Sequence, residues 1–283
     1  MLAPKFWYPE NNEISFSSPA LVPFGHIYSL LSKLRMSKAV KKQFDIPIVC
    51  IGNLNAGGTG KTPTTISAAQ FLRDRKYNVH IVSRGYGGNA MGPLSVNDRQ
   101  HSANDVGDEA LMLSAFAPTW VASNRSDGIQ SAIKEGADIV LLDDGFQDPS
   151  VYKDLSILTV NAKKGFGNNR CIPAGPLREK LRNGLERADV LISIGTETSQ
   201  KTFKSIYKSY INMPLGIANL EVLNTGLSLK NMKVLAFAGI AHPENFFDTL
   251  RAQGAEIVDC EALADHQKLC LLYTSPSPRD RSS

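Results

Sequence analysis

The 283-residue chain contains no apolar run approaching the roughly 20 residues that a membrane-spanning helix needs. Its N-terminus also lacks the order of positive charge, apolar stretch and small-residue cleavage site that marks a signal peptide. A chain that neither spans a membrane nor is exported is therefore expected. Cysteine is scarce: Cys50, Cys171, Cys260 and Cys270 lie far apart and form no C-x-x-C pair. That spacing indicates neither a zinc site nor a disulfide framework and suits a reducing cytoplasm. Charge of one sign is also in short supply, since 31 Lys and Arg against 27 Asp and Glu leave +4. So small an excess gives no ground for a nucleic-acid partner. With 42% hydrophobic and 20% charged residues, the composition is that of an ordinary globular protein, long enough for one large domain or two smaller ones.

The chain is organised around Ile46 to Thr65, I-P-I-V-C-I-G-N-L-N-A-G-G-T-G-K-T-P-T-T. The β-branched run Ile48, Val49, Ile51 reads as a buried parallel strand, and Pro47 is tolerable only at its start. Glycines then break the run before a helical stretch. Such a loop lets backbone N–H groups converge on phosphate oxygens at the positive end of a helix. Asn55, Ala56, Gly57, Gly58, Thr59 and Gly60 form the expected cradle, Lys61 reaches the β- and γ-phosphates, and Thr62 offers its hydroxyl to Mg²⁺. The strict pattern G-x-x-x-x-G-K-S/T has glycine where this chain has Asn55.

Before this loop, Phe6-Trp7-Tyr8 precedes Ala20 to Lys42, where Leu21, Phe24, Tyr28, Leu31 and Leu34 recur at helical spacing and lysines crowd the far end. The pattern fits a helix lying in a membrane interface, and equally an amphipathic helix packed on the domain. After the loop, short apolar strands alternate with amphipathic helices, which predicts a parallel sheet with helices on both faces. The strands are expected at 48–52, 79–83, 119–122, 139–143, 155–160 and 190–194, with ligands beyond their carboxyl ends. Arg84, in Ser83-Arg84-Gly85-Tyr86-Gly87-Gly88, can meet phosphate. Asp108 and Glu109 precede a helix expected over 110–117, where acids also complement the helix dipole. Asp143 and Asp144 end a buried strand and occupy the position that holds Mg²⁺ in phosphate-loop proteins. Residues 196–230 read as polar linker with possible short strands, and order returns with a strand from Lys233, a helix over 243–253 and a strand over 256–260.

Taken together, Phe6-Trp7-Tyr8, Gly52-Asn53-Leu54, Gly57 to Pro63, Ser83 to Gly88, Gly107-Asp108-Glu109, Leu142 to Gln147, Pro173 to Glu179, Phe237 to Ile240 and Asp265-His266 resemble the tetraacyldisaccharide 4'-kinase family. The resemblance implies a P-loop NTPase-like α/β fold and transfer of phosphate from ATP to the 4'-hydroxyl of a tetraacyldisaccharide 1-phosphate, giving lipid IVA. It implies Lys61 and Thr62 as phosphate and Mg²⁺ contacts, and Asp143, Asp144 and Glu109 as the acidic metal group. Asp108 with His266 becomes the pair that activates the acceptor hydroxyl. It also favours the interfacial reading of the N-terminal helix, at the cytoplasmic leaflet of a Gram-negative inner membrane, with no obligate protein partner. Asn245 and Gln267 depart from what the family usually carries. A membrane-associated P-loop ATPase switch shares the loop, the basic helix and the acidic strand end, and is the other expectation.

The end of the chain stands apart. Cys270 to Asp280 resembles a translated sequencing adapter, and Thr274 to Ser283 holds only Thr, Ser, Pro, Arg and Asp, a composition unable to build a core. The expected organisation is an interfacial segment over 1–45, a kinase core over 46–195, a linker over 196–231, a partial α/β unit over 232–269 and a non-native tail from 270.

Overall fold

Every residue of the strand Ile139–Asp143 is buried, and its alternation assigns its side chains to two cores. Val140 and Leu142 join the cluster of Ile129, Phe166, Leu185 and Phe203, whereas Ile139 and Leu141 join that of Ala69 and Leu113. Period-two geometry requires this of a strand covered on both faces. The structure is a computed structural model and describes residues 4–9, 17–221, 228–238 and 243–263.

After a short 3-10 turn at Lys5–Trp7, the chain runs α1 (Ser17–Lys38), β1 (Ile48–Gly52), α2 (Lys61–Asp74), β2 (Val79–Ser83), β3 (Leu94–Ser95), α3 (Ala103–Val106) and α4 (Asp108–Ser114). It continues through β4 (Thr119–Val121), α5 (Arg125–Lys134), β5 (Ile139–Asp143), β6 (Leu155–Asn161), α6 (Leu181–Leu185), β7 (Val190–Ile194), α7 (Glu197–Tyr207) and β8 (Leu215–Ala218). These eight strands form one sheet in the order β3-β4-β2-β5-β1-β6-β7-β8. All neighbours are parallel except the edge pair β3 and β4. Residues of α2 and α4 cover one face, and residues of α5, α6 and α7 the other. The parallel sheet with helices on both faces is the fold expected from the alternating pattern.

Residues 3–220 form one unit, and residues from 221 onward belong to a second. In the second, β9 (Lys233–Ala238), α8 (Pro243–Ala252) and β10 (Glu256–Ala262) make a right-order strand, helix and parallel strand, with Phe247 buried against Ala236 and Ala238. The tail from 270 lies outside the described residues.

Three expectations are corrected. Residues 196–231 are not simply a linker: α7 buries Phe203 and Tyr207, four residues apart on one helical face, against Phe166 at ring distances of 6.0 and 5.0 Å. β8 then extends the sheet beside β7, so the first unit runs past Ile194 to Leu220. The N-terminal helix ends at Lys38 rather than Lys42, because Lys42 leaves it to bridge Val151 as extended chain. The helix expected over 110–117 begins earlier, at Asp108, directly after Gly107, whose φ of 86° an L side chain adopts only under strain.

Phe166 is 1% exposed and Phe24 on α1 is 59% exposed. Phe166→Ala is therefore expected to lower the unfolding free energy by about 3–5 kcal/mol in urea titrations. Phe24→Ala should stay within about 0.5 kcal/mol of the parent.

Candidate active site

The phosphate loop leaves β1 in the middle of the sheet, flanked by β5 and β6. Its inner wall is tied down by side chains. Buried Asn53 donates from Nδ2 to Thr59 Oγ1 at 2.9 Å and to the Gly57 carbonyl at 3.2 Å, and Thr59 Oγ1 shares a hydrogen bond of 3.0 Å with Thr159 on β6. Its outer face is open: a Cβ at Gly57 or Gly58 would meet nothing within 4 Å, which leaves room for a ligand to reach the backbone. Gly60, at φ 86°, starts α2 without a side-chain cap, so the first-turn amides are those a phosphate takes.

Asn55 and Ala56, expected in the cradle, have a different task. Asn55 is 2% exposed and donates from Nδ2 to the Gly165 carbonyl at 3.0 Å and to Tyr8 OH at 3.3 Å. The Ala56 amide donates to the Pro176 carbonyl at 2.7 Å, and the Arg178 amide to the Leu54 carbonyl at 2.7 Å. This stretch pairs with the loop Cys171 to Arg178, and its amides are committed there. Asn55 is not among the residues at positive φ, which is why the first glycine of the strict pattern is dispensable here.

The acidic strand end lies beside the loop because β5 pairs with β1 in a register that opposes Asp143 to Ile51. Asp143 is 1% exposed, accepts a hydrogen bond of 3.3 Å from Thr65 Oγ1, and leaves Oδ2 buried without a partner. Burial first, then Glu109 and Asp144, push its carboxyl up to about 7 against the pull of Lys61. Asp144 turns the other way, with φ of 51°. Arg178 Nη1 donates to both its oxygens at 2.8 and 3.0 Å, and Lys61 Nζ stands 3.9 Å away. Burial alone would raise Asp144, but Lys61 and Arg178 hold it below the usual carboxylate range.

The glycines at 85, 88 and 107 let the loop after β2 close-pack on the turn before α4. A Cβ at Gly88 would stand 2.6 Å from Gly107 N, and one at Gly107 2.4 Å from Tyr86 O. Asp108 and Glu109 thereby start α4 exposed at this end of the sheet. Glu109 is near enough to act on Asp143. Arg84 lies exposed on the same loop, outside the group formed by Lys61, Asp144 and Arg178. His266 lies outside the described residues.

The chain matches the family described as tetraacyldisaccharide-1-P 4'-kinase over residues 17–271. It belongs to that family. Proteins named tetraacyldisaccharide 4'-kinase from Jannaschia sp. and Dinoroseobacter shibae are 49% and 45% identical to it over 269 and 270 residues, covering 95% of this chain and 81% and 80% of theirs. The crystal structure of Aquifex aeolicus LpxK in complex with ATP superposes with a TM-score of 0.72 at 25% identity, covering 93% of this chain and 85% of that one.

As a member of the tetraacyldisaccharide-1-P 4'-kinase family, the chain carries supporting residues that its sequence did not single out. Arg125, 6% exposed, donates to Asp148 at 2.9 Å and to the Asp144 carbonyl at 2.8 Å, which fixes the unusual backbone of Asp144. Gln147 ties the Asn53 carbonyl to Glu179, which Arg187 grips through both oxygens at 2.6 Å. Arg178 lies in the loop from Pro173 to Glu179, but nothing in the linear chain pairs it with Asp144. Among the described residues no three His, Cys, Asp or Glu side chains cluster as a closed metal cage. Glu109, Asp143 and Asp144, expected as one acidic metal group, are therefore not brought together as one, and what remains to meet a hard cation such as Mg²⁺ is oxygen donors taken singly. The unpartnered Oδ2 of Asp143 and the hydroxyl of Thr62 are hard oxygen donors of the required kind.

An acid whose folded pKa lies above its unfolded 3.8, as Asp143 at about 7 does, binds its proton more tightly when folded. The folded state therefore loses stability as pH rises through that window. Asp143→Asn removes the ionisation. Urea titrations in chelator-treated buffer should show the variant more stable than the parent by on the order of 2–4 kcal/mol near pH 8, the gap closing near pH 4. Parallel pH profiles would refute the assignment.

Proposed function

We infer that this chain transfers the γ-phosphoryl group of ATP to the 4'-hydroxyl of a tetraacylated glucosamine disaccharide 1-phosphate, giving lipid IVA. The observation that carries this reading is the convergence of Lys61 and Arg178 on Asp144 at the phosphate loop. Phosphoryl transfer is mostly positioning and neutralisation of charge on the transferred group. The amides from Gly57 to Thr62 orient the polyphosphate, and the two cations, held by Asp144, meet its negative oxygens. Thr62 and Asp143 would hold Mg²⁺, which when bound neutralises charge on the phosphates, while Glu109 adds negative charge nearby. Asp108, exposed at the start of α4, is assigned to accept the proton of the acceptor hydroxyl.

The acceptor is a lipid, and α1 is suited to meet it at a surface. Ile27, Leu30 and Leu31 are 56%, 58% and 60% exposed, while Gly25 and Ser29 are buried. A Cβ at Gly25 would stand 2.9 Å from the Cys171 carbonyl, so the helix packs by its small residues and presents its large apolar ones outward. No described helix is long and apolar enough to cross a membrane. The reading is a helix lying in the interface, its lysines near anionic headgroups, on the cytoplasmic leaflet of the inner membrane where ATP is available. The aromatics Phe6, Trp7 and Tyr8 serve the fold instead: Trp7 Nε1 donates to the Pro173 carbonyl at 3.1 Å, and Asn168 holds the Phe6 and Trp7 carbonyls at 3.0 and 2.9 Å.

Incubation with γ-labelled ATP and tetraacyl disaccharide 1-phosphate in mixed micelles should give labelled lipid. Label released only as inorganic phosphate would support the switch-type ATPase instead. Asp108→Ala is expected to lower transfer roughly 10²–10⁴-fold while ATP binding stays near the parent value. Ile27→Glu with Leu31→Glu should leave the fold intact and reduce flotation with phosphatidylglycerol vesicles at least tenfold, since each buried carboxylate opposes insertion by a few kcal/mol.

A further inference from the structure

Where β1 turns into the phosphate loop, two consecutive carbonyls are gripped by side chains from its two neighbours in the sheet. From the turn after β5, Gln147 Nε2 donates to the Asn53 carbonyl at 2.9 Å, and from β6, Thr159 Oγ1 donates to the Gly52 carbonyl at 3.3 Å. Thr159 is 1% exposed and stands one residue beyond Leu158, the partner of Gly52 in the parallel ladder. Its Oγ1 also meets Thr59 Oγ1, inside the glycine turn, at 3.0 Å.

The direction of each bond follows from the supply of protons. A threonine hydroxyl has one proton, and Thr159 gives its own to a carbonyl, which can only accept. Thr59 is therefore the donor to Thr159, and it accepts in turn from Asn53 Nδ2 at 2.9 Å. The circuit runs from Asn53 through Thr59 and Thr159 to Gly52, closing on adjacent residues of the chain, and bonds aligned in this way reinforce one another. Its parts differ in what they fix. The bonds of Asn53 to Gly57 and Thr59 lie within the turn and set its shape. The bond from Thr59 to Thr159 crosses 100 residues of sequence to β6 and sets where the turn sits on the sheet.

We propose that Thr159 is a positioning residue for phosphate binding: buried behind the loop and out of reach of a nucleotide, it holds the turn from Gly57 to Gly60 on β6 so that the amides meet the phosphates already in place. The inference rests on the ATP reading above and adds a residue that the phosphate-loop pattern does not contain. A turn that its ligand must first order binds that ligand more weakly by the cost of the ordering. The effect falls on the phosphates and not on the nucleoside. It is also shared by ground state and transition state, so it belongs in KM and not in kcat.

Equilibrium binding of ATP and of inorganic tripolyphosphate to the full chain, beside transfer kinetics, tests it. Thr159→Val keeps the shape of the side chain and removes the hydroxyl. It should weaken both ligands by the same factor, about tenfold or about 1.4 kcal/mol, and raise KM for ATP with kcat within about twofold of the parent. Thr159→Ser keeps the hydroxyl and loses a buried methyl. It should bind both ligands within about twofold of the parent even where its urea midpoint is lower. Thr59→Val approaches the same bond from its other end, and the double variant should lose no more affinity than Thr59→Val alone. Parent-like tripolyphosphate affinity in Thr159→Val, equal losses in the Val and Ser variants, or additive losses in the double variant overturn the positioning role while ATP binding itself stands. A parent chain that binds neither ligand overturns the kinase reading and the positioning role with it.

Discussion

Two adjacent carboxylates at the end of a buried strand repel each other and resist losing water, and the architecture around the phosphate loop follows from how Asp143 and Asp144 are separated. Asp144 adopts φ of 51°, which turns its side chain toward Lys61 and Arg178, while Asp143 stays in the wall under Thr65. One acid is thereby held charged by two cations and the other pushed toward its neutral form. A pair with separated proton affinities can share work at one site, one as a fixed counter-charge and the other as an oxygen donor to a cation. Arg125 holds the backbone that makes the separation possible.

Arg178 reaches Asp144 only because the loop from Cys171 to Arg178 is laid along the start of the phosphate loop. Asn55, Ala56 and Leu54 fasten that seam from one side. Trp7 and Asn168 fasten the loop from behind, and α1 rests on it through Gly25 and Ser29. The surface helix, the aromatic turn and Arg178 are therefore mechanically continuous: the loop that carries Arg178 is also the seat of the helix whose apolar face looks outward.

Much of the fold was legible in the chain because parallel strands buried on both faces appear as unbroken apolar runs. The boundaries of β1, β2, β5 and β7 fall where Ile48, Val79, Ile139 and Val190 begin such runs. Reading was weaker where burial is one-sided. Phe203 and Tyr207 stand among lysines and serines, and their helix looks polar until the aromatic ring of Phe166 is brought against them. The phosphate loop was recognisable despite Asn55, since Gly60, Lys61 and Thr62 are the positions where the chemistry needs a particular residue, whereas position 55 needs only a negative φ.

The sequence by itself determined the class of chemistry and the sheet that supports it, because a glycine-rich turn between a buried strand and a helix, and paired acids ending another, are local patterns with local causes. Only the tertiary structure decided which charges meet. Arg178 and Asp144 are separated by 34 residues and Asn55 and Gly165 by 110, and such pairings depend on the order of strands in the sheet, which no run of adjacent residues encodes. The same holds for the outward face of α1: a helical stripe of Leu and Phe reads identically whether it lies on a core or away from one, and only the packing of Gly25 against Cys171 shows which side is left open.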